Sequence, residues 1–97
     1  MHRFIWDEKK NLANLKKHGV DFNDAVRAWY DPDRLDFFDE NHSSSSETRW
    51  IFLGAVAGLV LFVVETELDE ETVRIISARK ASKKEQEKYY ANCSKNS

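Results

Sequence analysis

The apolar residues of this 97-residue chain change their rhythm near Arg34. Before it they recur at helical spacing; after it they alternate or run together as in strands. Arg3-Phe4-Ile5-Trp6 is short, aromatic and β-prone, and reads as an opening strand. Asp7 is placed to cap a helix with Glu8 in its first turn, Leu12 and Leu15 on one face, and Lys16-Lys17-His18 in its last turn. Gly19 follows where helices take a left-handed cap. Asp21 caps a second helix in which Phe22, Ala25, Val26 and Trp29 recur at i, i+3, i+4 and i+7, and Asp31-Pro32 stops it.

Past Arg34, residues 35–38 read as a short strand, and the low-complexity run 41–46 as a mobile loop. Three longer strands are expected over 49–56, 59–66 and 72–78, joined by Ala57-Gly58 and by residues 68–71. Connections this short force antiparallel neighbours. The central strands are apolar on both faces, which calls for cover on both sides. Trp29, Trp50, Phe52 and Phe62 are the expected core aromatics. A terminal helix over 81–92 opens with a capping box, Ser82 and Glu85. The pattern predicts an α+β fold in one domain over 1–97: two helices, an antiparallel sheet of about four strands, and a basic C-terminal helix.

Composition narrows the function classes. Residues 50–64 carry no charge, but a membrane span needs ~20 such residues and Gly54 and Gly58 interrupt the run. Residues 1–7 lead into no apolar segment of a signal peptide, so a soluble, cytoplasmic protein with no membrane partner is expected. A single cysteine, Cys93, excludes an internal disulfide and any multi-cysteine zinc site, and reads as an exposed thiol. His2, His18 and His42 share no ligand spacing, so neither a metal nor a cofactor is expected. The net charge of −2 hides a division: residues 1–20 sum to +3, residues 21–73 to −10 and residues 74–97 to +5. Basic surface at both ends of the chain is masked in the average.

Several blocks are more specific. Phe4-x-Trp6-Asp7-x-x-Lys10, Asn14-x-x-Lys17-His18-Gly19-Val20-x-Phe22-x-x-Ala25, Glu47-x-Arg49-Trp50 and residues 74–81 (Arg-Ile-Ile-Ser-Ala-Arg-Lys-Ala), with Glu85 and Tyr89 beyond, occur in order over nearly the whole chain. This pattern resembles the BrnT family of toxins from type II toxin–antitoxin systems. The resemblance implies a RelE-like fold and endoribonuclease activity that inhibits translation and growth. It also implies a BrnA-type ribbon-helix-helix antitoxin as partner, with operator DNA bound only through that antitoxin. One departure stands out: members commonly carry Thr-Glu-Arg at the end of the fourth strand, and this chain has Thr66-Glu67-Leu68.

Cutting RNA without a metal needs a base near the 2′-hydroxyl, positive charge around the phosphorane, and an acid for the leaving 5′-oxygen. Arg49, Arg74 and Arg79 are the candidate cations, since a guanidinium fork donates to two phosphate oxygens at once. Each has a plainer reading, for Arg49 a surface charge paired to Glu47 and for Arg74 a structural ion pair. His18 and Glu47 are the candidate proton-transfer groups, although the plainer reading of His18 is a cation that closes its helix. Lys80, Lys83 and Lys84, with Lys88, offer a basic track for RNA or a solvated helix face. Tyr89 and Tyr90 suit base stacking or packing of the last helix. His42 reads as a solvated loop side chain. The acidic middle contacts a basic antitoxin segment or serves solubility. Strand alternation sets Arg74 and Arg79 on opposite faces unless a bulge near Ser77 intervenes. Two other functions fit the same residues: a catalytically silent antitoxin-binding co-repressor, and a plain nucleic-acid-binding module.

Overall fold

The structure, a computed structural model, describes residues 2–96. Its elements run β1 (Arg3–Ile5), α1 (Glu8–His18), α2 (Phe22–Trp29), β2 (Leu35–Phe38), β3 (Arg49–Val56), β4 (Leu59–Glu67), β5 (Thr72–Lys80) and α3 (Lys83–Asn96). The fold is α+β, as the pattern predicts, with five strands in the order β1-β5-β4-β3-β2 rather than about four. β2 to β5 form the antiparallel meander that short connections dictate. β1 joins the far edge in parallel, Phe4 opposite Val73, because the chain has the length of α1 through β4 in which to return.

Local chemistry sets the element ends. The Asp7 carboxylate accepts from the Lys9 and Lys10 amides, and Gly19 closes α1 at φ 70°. The β3–β4 hairpin turns on Ala57 and Gly58 at φ 51° and 81°, the paired positive angles that match strand twist in a two-residue loop.

Residues paired across strands point to the same side, so the register divides the sheet into two faces. Phe52, Leu61, Val63, Val73 and Ile75 lie on one face, buried beneath Phe22, Ala25 and Ala28. On the other face Leu53, Val60 and Phe62 meet Tyr89 and Cys93 of α3 at one end only. Arg49, Ile51, Val64 and Arg74, at the other end of that face, are half-buried or exposed.

Leu12 and Leu15 share a face of α1 as expected; it is the outer one, 60% and 41% exposed, and α1 turns Asn11 and Asn14 inward. Beyond Arg74 the edge of β5 has no strand partner, and Asn14 serves it: the amide donates to the Ala78 carbonyl at 2.8 Å and accepts from the Ala78 amide at 3.1 Å. Two expectations, on Cys93 and Trp50, need correction. Cys93 is half-buried against the second cluster rather than exposed. Among the aromatics Phe52 is fully buried, and Trp29 and Phe62 pack at the cluster margins. Trp50 stands outside both clusters, half-buried and edge-on to Phe38 at 5.6 Å.

Candidate functional site

The pairing of β4 with β5 contains the irregularity on which the site depends. Val64 faces Ser77 and Glu65 faces Ile75, so Ile76 is an extra residue on β5. An extra residue inverts the parity of everything beyond it. Arg74 opposite Thr66, Ser77 opposite Val64 and Arg79 opposite Phe62 therefore all point to the face that carries α3. Arg49, also opposite Thr66, points the same way. Arg49, Thr66 and Arg74 form one row across three strands, with the two arginine Cα atoms about 10 Å apart from the usual strand spacing. The bulge assembles all three candidate arginines on one face.

Their surroundings differ. Arg74 is exposed, makes no hydrogen bond or ion pair among the described residues, and borders two cavities. One, of about 450 Å³, is walled by Ser45, Ser46, Glu47, Thr66, Glu67 and Leu68. The other, of about 340 Å³, is walled by Trp6, Asp7, Lys10 and Ile76. Arg49 lies 3.8 Å from Glu47, the pairing considered for it, yet its Nε is buried without any hydrogen-bond partner. A buried donor left unpaired is costly and is satisfied by an arriving acceptor. Arg79 is already engaged: its guanidinium bonds both Glu85 oxygens, at 2.8 and 3.0 Å, and stacks 3.9 Å over the Phe62 ring. The Arg79 hydrogen bonds hold the Glu85 carboxyl below the usual carboxylate range. The capping box is present as well, with Glu85 accepting from the Ser82 amide and Ser82 Oγ from the Glu85 amide.

Other candidates stand apart from this row. Lys80 pairs with Leu61, which puts it on the opposite face, beside Gly19 and Asp24. His18 ends α1 next to Gly19 and lines neither of the Arg74 cavities. Lys83 and Lys84 are exposed in the first turn of α3. Tyr89 is 3% exposed and offers no face to a base. Its hydroxyl donates to Asp31, which also accepts from the Ala55 and Asp33 amides. Burial and the Asp31 carboxylate push the Tyr89 phenol well above its ordinary value, so it stays protonated. Tyr89 thereby ties α3 to the end of α2 and to β3.

The β2–β3 loop differs from the expectation for His42. His42 is not merely solvated: its Nδ1 lies 3.1 Å from both oxygens of Asp39, which is buried. Ser43 Oγ accepts from the Arg49 amide at 2.9 Å and donates to the Asp39 carbonyl at 2.6 Å. The Asp-x-x-His spacing carries that signal, since a turn brings such residues together.

The chain matches the family described as "Ribonuclease toxin, BrnT, of type II toxin-antitoxin system" over residues 6–85. Among solved structures it resembles the crystal structure of the Brucella abortus ribonuclease toxin, BrnT, at a TM-score of 0.68 and 27% identity, covering 86% of this chain and 100% of that one. No curated protein sequence gives a significant match. With the family pattern matched over residues 6–85, most of the chain, the chain belongs to the BrnT family of ribonuclease toxins of type II toxin–antitoxin systems.

Proposed function

We propose that this chain is an endoribonuclease that cuts RNA by metal-independent attack of the 2′-hydroxyl on the adjacent phosphate, at the face bearing Arg49, Arg74 and Arg79. The observation that carries the reading is the bulge at Ile76, which sets the three guanidiniums on one side of the sheet. Arg49, with its unpaired buried Nε, and Arg74, with no partner, bind the phosphate oxygens. Arg79 stabilises charge on the phosphorane, its fork held in place by Glu85 and Phe62. Glu47, in the wall of the larger Arg74 cavity, takes the proton of the attacking hydroxyl. Solvent water supplies the proton taken up by the leaving 5′-oxygen, giving a 2′,3′-cyclic phosphate and a 5′-hydroxyl. Lys83 and Lys84 extend the basic surface for the strand. The toxin acts in the cytoplasm and is neutralised by a BrnA-type ribbon-helix-helix antitoxin, through which alone it reaches operator DNA.

A second reading, a silent antitoxin-binding co-repressor, rests on Leu68, which sits in the cavity wall beside Arg74 where the family resemblance calls for arginine. Induced expression distinguishes the two, with RNA ends mapped for the wild type and for Arg74→Ala. Removing one transition-state donor costs on the order of 10²–10³ in rate, so Arg74→Ala is expected to relieve growth arrest and RNA loss. Arg74 has no partner to lose, so its fold survives. Fragments ending in 3′-hydroxyls, or cleavage abolished by a chelator, overturn the mechanism. Unaffected growth with the wild type selects the co-repressor.

A further inference from the structure

The Trp6-Asp7-x-x-Lys10 stretch takes no part in the cleavage just described, yet it walls the second cavity that Arg74 borders. β1 ends at Ile5 opposite Arg74, and only Trp6 and Asp7 separate it from α1. The first turn of α1 therefore stands beside β5 where the bulged Ile76 lies. The space between them, about 340 Å³, falls within the ~300–1,000 Å³ of small-ligand pockets. Its apolar walls are Ile5, Trp6 and Ile76, all half-buried. The indole is held in place, with Trp6 Nε1 donating to Glu8 at 3.2 Å and the ring edge-on to Phe22 at 6.0 Å.

The polar groups of the cavity keep bonding capacity free. Asp7 caps α1 with one oxygen only: Oδ1 accepts from the Lys9 and Lys10 amides at 2.9 and 3.4 Å, while Oδ2 has no partner among the described residues. The Lys10 ammonium and the Arg74 guanidinium make no ion pair among the described residues. Two cations against one carboxylate leave the lining positive, as a polyanion requires.

We propose that this cavity is a subsite for a guanine base next to the phosphate held by Arg74, a proposal that rests on the ribonuclease reading and gives it a base preference. Proteins read single-stranded RNA by splaying a base against an aromatic side chain and bonding its Watson–Crick edge. In guanine that edge presents the N2 amino group and N1–H as donors, then O6 as an acceptor. A carboxylate only accepts and an ammonium only donates. Asp7 and Lys10, three positions apart at the start of α1, match that order: Asp7 accepts from N1–H and N2–H, and Lys10 donates to O6. Adenine, cytosine and uracil each offer one donor on this edge, flanked by an acceptor that the carboxylate repels. Trp6, Ile5 and Ile76 supply the apolar contact for the ring. Arg74 divides this cavity from the one that contains Glu47, so a strand with its phosphate at Arg74 has an adjoining base within reach of Trp6.

The test measures binding of a short 2′-O-methyl oligouridine carrying one central guanine, inosine, adenine or cytosine to the full chain, with the Trp6 indole N–H followed by NMR. Such RNA cannot be cut, so the preference is read whether or not the chain is an active nuclease. Guanine is expected to be preferred over adenine and cytosine by at least about tenfold, as for a bidentate base contact. Inosine, which lacks the N2 amino group, is expected to bind several-fold more weakly than guanine. Asp7→Asn keeps a good helix cap and should abolish the preference while binding plain oligouridine no more weakly. Equal binding of all the bases, with affinity still lowered by Arg74→Ala, overturns the guanine subsite and leaves the ribonuclease reading standing. A guanine preference unchanged in Asp7→Asn puts base recognition elsewhere and also overturns it. Inorganic phosphate moving the Trp6 signal as far as the guanine oligomer does shows an anion site and overturns it too. RNA binding indifferent to Arg74→Ala overturns both readings.

Discussion

Burial of Glu65 makes fold stability depend on pH in the direction opposite to that of an ion-paired carboxylate. Its carboxyl is raised to about 7 from an ordinary 4.5, chiefly because burial disfavours the charged form. Between those two values the folded chain holds a proton that the unfolded chain has released. Stability from this group is complete below the unfolded value, falls as pH rises through the interval, and is flat above about 7. Glu65→Gln keeps the shape and removes the titration. The variant is expected to match the wild type near pH 4 and to exceed it at pH 8 by roughly 2–3 kcal/mol, read from urea denaturation at the two pH values. Equal differences at both pH values sink this account. Glu85 behaves in the ordinary way: held below its usual range by Arg79, it contributes stability above that range and loses it on acidification.

At the scale of elements, α2 rests on β3 with no space to spare. A Cβ on Gly54 would fall on the Ala28 carbonyl oxygen and lie 3.1 Å from its carbonyl carbon, a contact with backbone that no rotamer relieves. Gly54→Ala is expected to destabilise by at least ~2 kcal/mol, as overpacking does, visible as a lowered Tm with an unchanged far-ultraviolet spectrum before melting. This closeness was not legible in the sequence, where Gly54 reads only as a break in an apolar run. What the sequence showed well was everything that rests on local chemistry: the Asp7 and Gly19 caps, the Ser82–Glu85 box and the strands of the meander. It was silent where a polar residue is turned inward for a long-range reason. Asn14 faces inward because the Ala78 amide and carbonyl, 64 residues away, need partners at an open strand edge. The site was legible as residue types and not as an arrangement. Arg49, Arg74 and Arg79 were identifiable, but one added residue, Ile76, decides their common face, and nothing in the alternation of β5 announces a bulge.

The net charge of −2 acquires a different meaning once the whole molecule is considered. Arg49, Arg74 and Arg79 gather on one sheet face, while Asp36, Glu65 and Glu67 line a cavity on the other. A polyanion samples the local field within a Debye length of ~10 Å, not the sum, so the average gives no measure of RNA affinity. The arginines are not equivalent in that field. Arg79 already neutralises Glu85 and releases few counterions when RNA arrives, Arg49 is loosely matched by Glu47, and Arg74 is unmatched. For single strands each phosphate neutralised contributes ~0.7 to the slope of log affinity against log salt. Binding of a 2′-O-methyl RNA, which cannot undergo the attack, is therefore expected to weaken with salt despite the negative total. Arg74→Ala should reduce the slope by about 0.7, Arg79→Ala by clearly less, and Asp36→Asn, on the opposite face, not at all. A slope unchanged by Arg74→Ala places the strand elsewhere on the protein, and equal losses for Arg74 and Arg79 show that Glu85 gives up its partner when RNA binds.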